Sequence, residues 1–241
     1  MPVVMVAHTS FDVDVVVFDK DGTLVDLDAV WFPPAKGWVD AVSLGDADLA
    51  NVIAGQLGID LPGARLVPDS IAAASTFERI GEVTRAELVE RSWPPDQITA
   101  ALERAALAVD RALRSAEPRM LADLPKLFGR LAAVGVRLAV LTSDDRPSTE
   151  DFLDWLGVGP LLDVVVTATD VDRPKPNPDG LLQIATRLNV PPDRILMIGD
   201  SVFDREAAHA AGSWFVAVGH RSAASRGADA TVGCIDELIV G

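Results

Sequence analysis

Asp19 and Asp21 stand two residues apart, directly after the apolar run Val15-Val16-Val17-Phe18 and directly before Gly22-Thr23-Leu24. In extended backbone alternate side chains share a face, so both carboxylates can address one site. Two close carboxylates repel, so such a site calls for a cation or for one raised pKa. Gly22 permits a sharp turn and a close backbone approach to a ligand. Three further polar groups follow downstream. Thr142-Ser143-Asp144 comes after Leu138-Ala139-Val140-Leu141, and Lys175 lies within Arg173-Pro174-Lys175-Pro176-Asn177-Pro178. Gly199-Asp200-Ser201-Val202-Phe203-Asp204 comes after Ile195-Leu196-Met197-Ile198. Singly, each group reads equally well as a turn or a helix cap. Together, each at or beyond the end of an apolar run, they describe an acidic site with a lysine in it.

The elements that would gather these groups alternate in type. Residues 13–18 read as a buried parallel strand, followed by strands at 136–141, 164–167, 195–198 and 214–218. A last edge strand is expected at 230–232. Between them, helices are expected at 124–134 (closed by Gly135), 149–156 (ended by Gly157), 179–188 and 204–211 (ended by Gly212). This alternation predicts right-handed βαβ units and a parallel sheet, the α/β class. In such a sheet the carboxyl ends of the strands share one edge, where ligands bind. From 28 to 118 the pattern is helical instead. Helices are expected at 46–57 and 95–116, the second with Ile98, Ala101, Leu102, Ala105, Ala106, Val109 and Leu113 at helical spacing. Ser75-Thr76-Phe77-Glu78 fits a capping box. Gly58 and Gly81 read as helix ends, and Pro33-Pro34 as a break or start near Trp31. The block is expected to be an all-helical insertion with its own small core. Residues 1–12 read equally as an edge strand or a loose arm.

Composition narrows the partners. The 241 residues are 49% hydrophobic and 24% charged, enough for one large domain or two unequal ones. The formal net charge of -15 repels nucleic acid and anionic membranes, so neither is an expected partner. An anionic substrate would be repelled too, unless a metal or local cations reverse the sign at the site. The only lysines are Lys20, Lys36, Lys126 and Lys175, which makes their placement informative. The single cysteine, Cys234, excludes an intrachain disulfide and a multi-cysteine metal site, and reads as a small apolar residue in or near the core. No targeting segment or membrane-length apolar run is found, and a cytoplasmic location is expected.

Asp19-Lys20-Asp21-Gly22-Thr23, Thr142, Lys175 and Gly199-Asp200-Ser201-Val202-Phe203-Asp204 together resemble the four motifs of the haloacid dehalogenase-like hydrolases, and within them the phosphoglycolate phosphatase-like phosphatases. The resemblance implies a Rossmann-like, three-layer α/β/α core from 1–27 and 119–241, with 28–118 as a helical cap. Leu27 and Arg173 depart from the family pattern beside the first and third motifs. The resemblance further implies Mg²⁺-dependent hydrolysis of a small phosphorylated metabolite through a covalent aspartyl-phosphate. The residues suit that chemistry. Asp19 is expected to be the nucleophile, with Asp21 protonating the leaving group and then activating water. Thr142 and Lys175 would hold the phosphoryl oxygens. Gly22, Thr23 and Ser143 would line the substrate, with backbone N–H groups after Asp19 offsetting much of its charge. Asp19, Asp200 and the Asp21 carbonyl would hold the metal, with Asp204 in support. Lys20 is expected to point away from both aspartates, at the rim or in a structural role. Trp31, Lys36, Ser75 and Thr76 are weighed as entrance residues against plain packing or solvation. A phosphomutase and a non-catalytic phosphate-binding relative remain as alternatives, and the oligomeric state is left open.

Overall fold

The computed structural model describes residues 2–6, 8–219 and 223–240. By internal contacts the chain forms two compact units, Met1–Val25 with Met120–Gly241, and Asp26–Arg119.

The first unit is built on β3 (Val15–Phe18), whose four side chains are all buried. Continuous apolar character suits a strand covered on both faces. In chain order the unit also contains β1 (Val3–Val6), β2 (Thr9–Asp12), α6 (Leu124–Ala133), β6 (Arg137–Leu141), α7 (Arg146–Leu156), β7 (Val164–Val166), α8 (Asp179–Leu188), β8 (Ile195–Gly199), α9 (Val202–Ala211), β9 (Trp214–Val218), β10 (Ala230–Val232) and β11 (Leu238–Val240). Six strands form one parallel sheet in the order β10-β9-β8-β3-β6-β7. The chain runs outward from β3 through β6 and β7, then returns to the other side of β3 to begin again at β8. This reversal falls at β3 and β8, and it is at the carboxyl ends of such strands that open α/β sheets bind ligands.

Strand alternation divides the core into two layers. Val16, Phe18, Leu138, Val140, Leu196 and Ile198 face α6 and α7, with Phe18 and Phe128 in ring contact at 5.0 Å. Val15, Val17, Ala139, Leu141, Ile195 and Met197 face Leu181 and Ile184 of α8 and Ala207 and Ala208 of α9. The result is the three-layer α/β/α arrangement, with β10 on its edge. Cys234 packs against the first layer, its thiol donating to the Leu121 carbonyl at 3.0 Å. Residues from 1–12, undecided in sequence, form β1 and β2. With β11 they make a separate antiparallel sheet, ordered β11-β1-β2.

The second unit contains α1 (Leu27–Ser43), α2 (Ala47–Leu57), α3 (Ile71–Ala74), α4 (Phe77–Glu90) and α5 (Pro95–Arg114). It also holds an antiparallel pair of two-residue strands, β4 (Ile59–Asp60) and β5 (Arg65–Leu66), which adds to the all-helical expectation. Its core is its own: Trp38, Val39, Val42, Leu49, Ile53, Leu57, Leu88, Ile98, Ala101 and Ala105 pack together. Three local expectations are corrected here. Pro33 and Pro34 lie inside α1 and do not break it. Burial of the stripe Val30, Pro34, Trp38 and Val42 holds the helix through the prolines. Gly81 lies inside α4, and the cap of α4 is Thr76, one residue later than the expected box. Among the described residues no helix is long and apolar enough to cross a membrane.

Candidate active site

Register brings the motifs together. Phe18 pairs with Val140 on one side and with Ile198 on the other, so Asp19, Thr142 and Asp200 emerge side by side at the strand ends. The Asp19 N–H donates to the Ile198 carbonyl at 2.9 Å, and the Thr142 N–H to the Val166 carbonyl at 3.1 Å. Asp19 is 6% exposed.

Lys175 reaches the site from the loop before α8. Its Nζ donates to Asp19 Oδ1 at 2.6 Å, Asp204 Oδ1 at 2.6 Å and the Leu141 carbonyl at 3.2 Å. Asp204 is fully buried at the third position of α9. Its Oδ2 accepts from the Ser201 N–H at 3.1 Å and the Ser201 hydroxyl at 2.6 Å, closing a capping box. That cap starts α9 at Val202, two residues before the expected start. Carboxylate oxygens of Asp19, Asp200 and Asp204 lie within 4.8 Å of one another. Both oxygens of Asp204 are already engaged by Lys175 and Ser201. The oxygens free to meet a cation therefore belong to Asp19 and Asp200. Burial pushes the Asp19 carboxyl up to about 7 against the pull of Lys175, and Asp204 adds to the rise. Burial also drives Asp200 well above the ordinary carboxylate range, with Asp19 next in effect. Burial opposes the charge on Lys175, but Asp19 and Asp204 outweigh it and raise its pKa.

These shifts describe an acidic site short of positive charge. The donors are all oxygen, the set preferred by Mg²⁺ and other hard cations. Gly22 completes the cradle. It has φ +82°, and a Cβ there would lie 2.1 Å from Asp200 Oδ2. Its N–H is committed to the Val25 carbonyl at 2.8 Å, so Gly22 contributes space at this site. Thr23 is fully buried and its hydroxyl has no hydrogen-bond partner among the described residues. Thr142 is 3% exposed; its Oγ1 accepts the Asp144 N–H at 3.2 Å, which leaves its own proton to donate. Ser143 is exposed.

The expectation that Lys20 points away from both aspartates fails at Asp21. Its carboxylate has its own cation, with Lys20 Nζ 2.6 Å from Oδ2. Lys20 is not at the rim: it is buried, and Asp144 Oδ2 lies 3.0 Å from the same ammonium. A buried lysine needs acid partners, and Asp21 and Asp144 are the acids within reach. Neither Lys20 nor Asp144 was singled out as a site residue by sequence; the signal was a rare lysine between two aspartates and an acid two residues after Thr142. In the other unit, Lys36 pairs with Asp40 at 2.5 Å, Trp31 contacts the Phe77 ring at 5.9 Å, and Ser75 and Thr76 are exposed.

The chain is also similar to known proteins. A haloacid dehalogenase-like hydrolase model matches residues 13–212. The phosphoglycolate phosphatase of Shigella sonnei (strain Ss046) is 30% identical over 212 residues, covering 83% of this chain and 79% of the relative. Two solved structures share the fold. One, described as a predicted phosphoglycolate phosphatase from Haemophilus somnus 129pt, has a TM-score of 0.67 at 18% identity, covering 93% of this chain and 95% of the other. The second, a β-phosphoglucomutase from Clostridium difficile, has a TM-score of 0.61 at 18% identity, covering 93% and 92%.

Proposed function

The chain belongs to the haloacid dehalogenase-like hydrolases, and from that membership we propose that it is a cytoplasmic, Mg²⁺-dependent phosphatase acting on a small phosphomonoester resembling phosphoglycolate or a sugar phosphate. The observation that carries the reading is the buried Asp19 at the end of β3, with Lys175 bonded to one of its oxygens and the Asp200 carboxylate close by.

Asp19 attacks phosphorus and the bond to the leaving oxygen breaks, giving an aspartyl-phosphate. Asp21 supplies the proton that the leaving oxygen takes up. Water then attacks the phosphoryl group, Asp21 takes its proton, and Asp19 is released. Lys175 and the Thr142 hydroxyl face the phosphoryl oxygens, and Lys175 together with Asp204 holds Asp19 in place. Asp19, Asp200 and the Asp21 carbonyl would hold Mg²⁺, whose positive charge offsets that of the transferring phosphoryl group. Gly22 and Ser143 line the approach, which the fully buried Thr23 does not reach. Substrate choice would reside in the helical unit Asp26–Arg119, acting as a cap, because the strand-end residues address only the phosphoryl group.

A panel of phosphorylated metabolites, assayed for phosphate release with Mg²⁺, tests the reading. Turnover of at least one small phosphomonoester is expected, lost on thorough chelation and restored by Mg²⁺. Full activity in metal-free protein, or no release from any member, would contradict it.

A further inference from the structure

Lys20 has no part in the reaction as written above, yet it touches the residue that moves the protons. Its ammonium lies 2.6 Å from Asp21 Oδ2 and 3.0 Å from Asp144 Oδ2, and 4.7 Å from the centre of the Phe152 ring. The other oxygen of the same carboxylate, Asp21 Oδ1, is buried and accepts no hydrogen bond among the described residues. Asp21 is therefore held on one side only, by the Lys20 ammonium at Oδ2. The anchor is itself fixed, since Asp144 is tied through its N–H to Thr142 Oγ1 at 3.2 Å and through its carbonyl to the Ala168 N–H at 3.0 Å. Lys20 thus joins the Asp21 turn to the loop that carries the phosphoryl-binding hydroxyl.

We propose that Lys20 is a positioning residue, which grips Asp21 by Oδ2 and so fixes the carboxyl that exchanges protons with the leaving oxygen and with water. In the first step the proton of the Asp21 carboxyl passes to the leaving oxygen as its bond to phosphorus breaks. In the second, a proton of the attacking water returns to the Asp21 carboxylate as the phosphorus bond to Asp19 breaks and its electron pair returns to the Asp19 carboxylate. The Asp21 side chain turns about two torsions, and its carboxylate would lose this placement without the grip. The inference rests on the aspartyl-phosphate reading.

The test compares leaving groups in Lys20→Met. p-Nitrophenolate leaves without a proton, whereas an alkoxide needs one. The first burst of nitrophenolate from p-nitrophenyl phosphate should stay within about threefold of wild type. With an alkyl phosphate, kcat/KM should fall by about 100-fold, in the range that general acid catalysis supplies. Breakdown of the phosphoenzyme should slow similarly. Lys20→Arg should restore part of the loss. On an Asp21→Ala background Lys20→Met should add nothing to the ratio between the two substrates. Equal loss with both substrates, or none with either, would overturn the inference. If Lys20→Met does not give native circular dichroism, the same ratio in Lys20→Gln decides in its place. Wild-type enzyme that forms no phosphoenzyme on Asp19 would instead mark failure of the underlying mechanism.

Discussion

Gly22 shows how closely single residues determine this site. Its φ of +82° already disfavours any side chain, and a Cβ there would fall 2.5 Å from Asp200 Cγ. Gly22→Ala must displace either the turn or the Asp200 carboxylate. The backbone strain amounts to about 1–2 kcal/mol, a modest part of the stability of a domain. The displaced carboxylate, however, is one of the two with oxygens free for a cation. Calorimetric Mg²⁺ titration and steady-state kinetics should show affinity and kcat/KM each falling at least about tenfold (about 1.4 kcal/mol each), with the protein still folded. Unchanged Mg²⁺ affinity would mean that Asp200 does not hold the ion where we place it. At this scale much was legible. Asp19, Thr142, Lys175 and Asp200 stand at or beyond the ends of apolar runs, and register alone brings Asp19, Thr142 and Asp200 side by side. The partner of Asp21 was not legible, because the Lys20–Asp144 contact depends on how two loops distant in sequence lie against each other.

An ion pair anchors the start of the loop from β7 to α8. Asp170 accepts from Arg146 Nε at 3.1 Å and Nη2 at 2.5 Å, and from the N–H and hydroxyl of Thr167, both at 2.7 Å. Burial pushes the Asp170 carboxyl up, but Arg146 and Thr167 together outweigh it and hold it at about 2. A carboxyl held below its unfolded value of about 3.9 stabilises the fold above that pH, and the contribution is lost as pH falls through about 2. Asp170→Asn should therefore cost about 2 kcal/mol at pH 7, the loss of hydrogen bonds to a charged group. Thermal unfolding should show Tm lowered by several degrees at pH 7. The gap to wild type should close as pH drops from about 4 toward 2; a gap independent of pH would refute the assignment. Element boundaries were harder to read than element types. α7 begins at Arg146, not at Thr149, because Asp145 caps it and Pro147 is tolerated in the first turn. β1 pairs with β11 at the far end of the chain, Val4 opposite Val240, a partnership that no local pattern carries.

Over the whole molecule, the chain places two of its few lysines where positive charge is needed. Of its four lysines, Lys20 and Lys175 are buried at the strand ends, within a protein of net charge -15. The parallel sheet explains how residues as far apart in sequence as Asp19 and Asp204 meet at one ammonium. The alternation of apolar runs and helices made that sheet legible. The central claim is that phosphoryl transfer passes through Asp19. The most direct measurement is a rapid-mixing reaction of Asp21→Ala with p-nitrophenyl phosphate, followed by peptide mapping of the trapped protein. The account predicts a burst of about one nitrophenolate per site, near-arrest thereafter, and a hydroxylamine-sensitive acyl phosphate on the peptide bearing Asp19. Asp19→Asn should give neither burst nor label. An active wild-type enzyme whose Asp19→Asn variant still forms a phosphoenzyme would contradict the account.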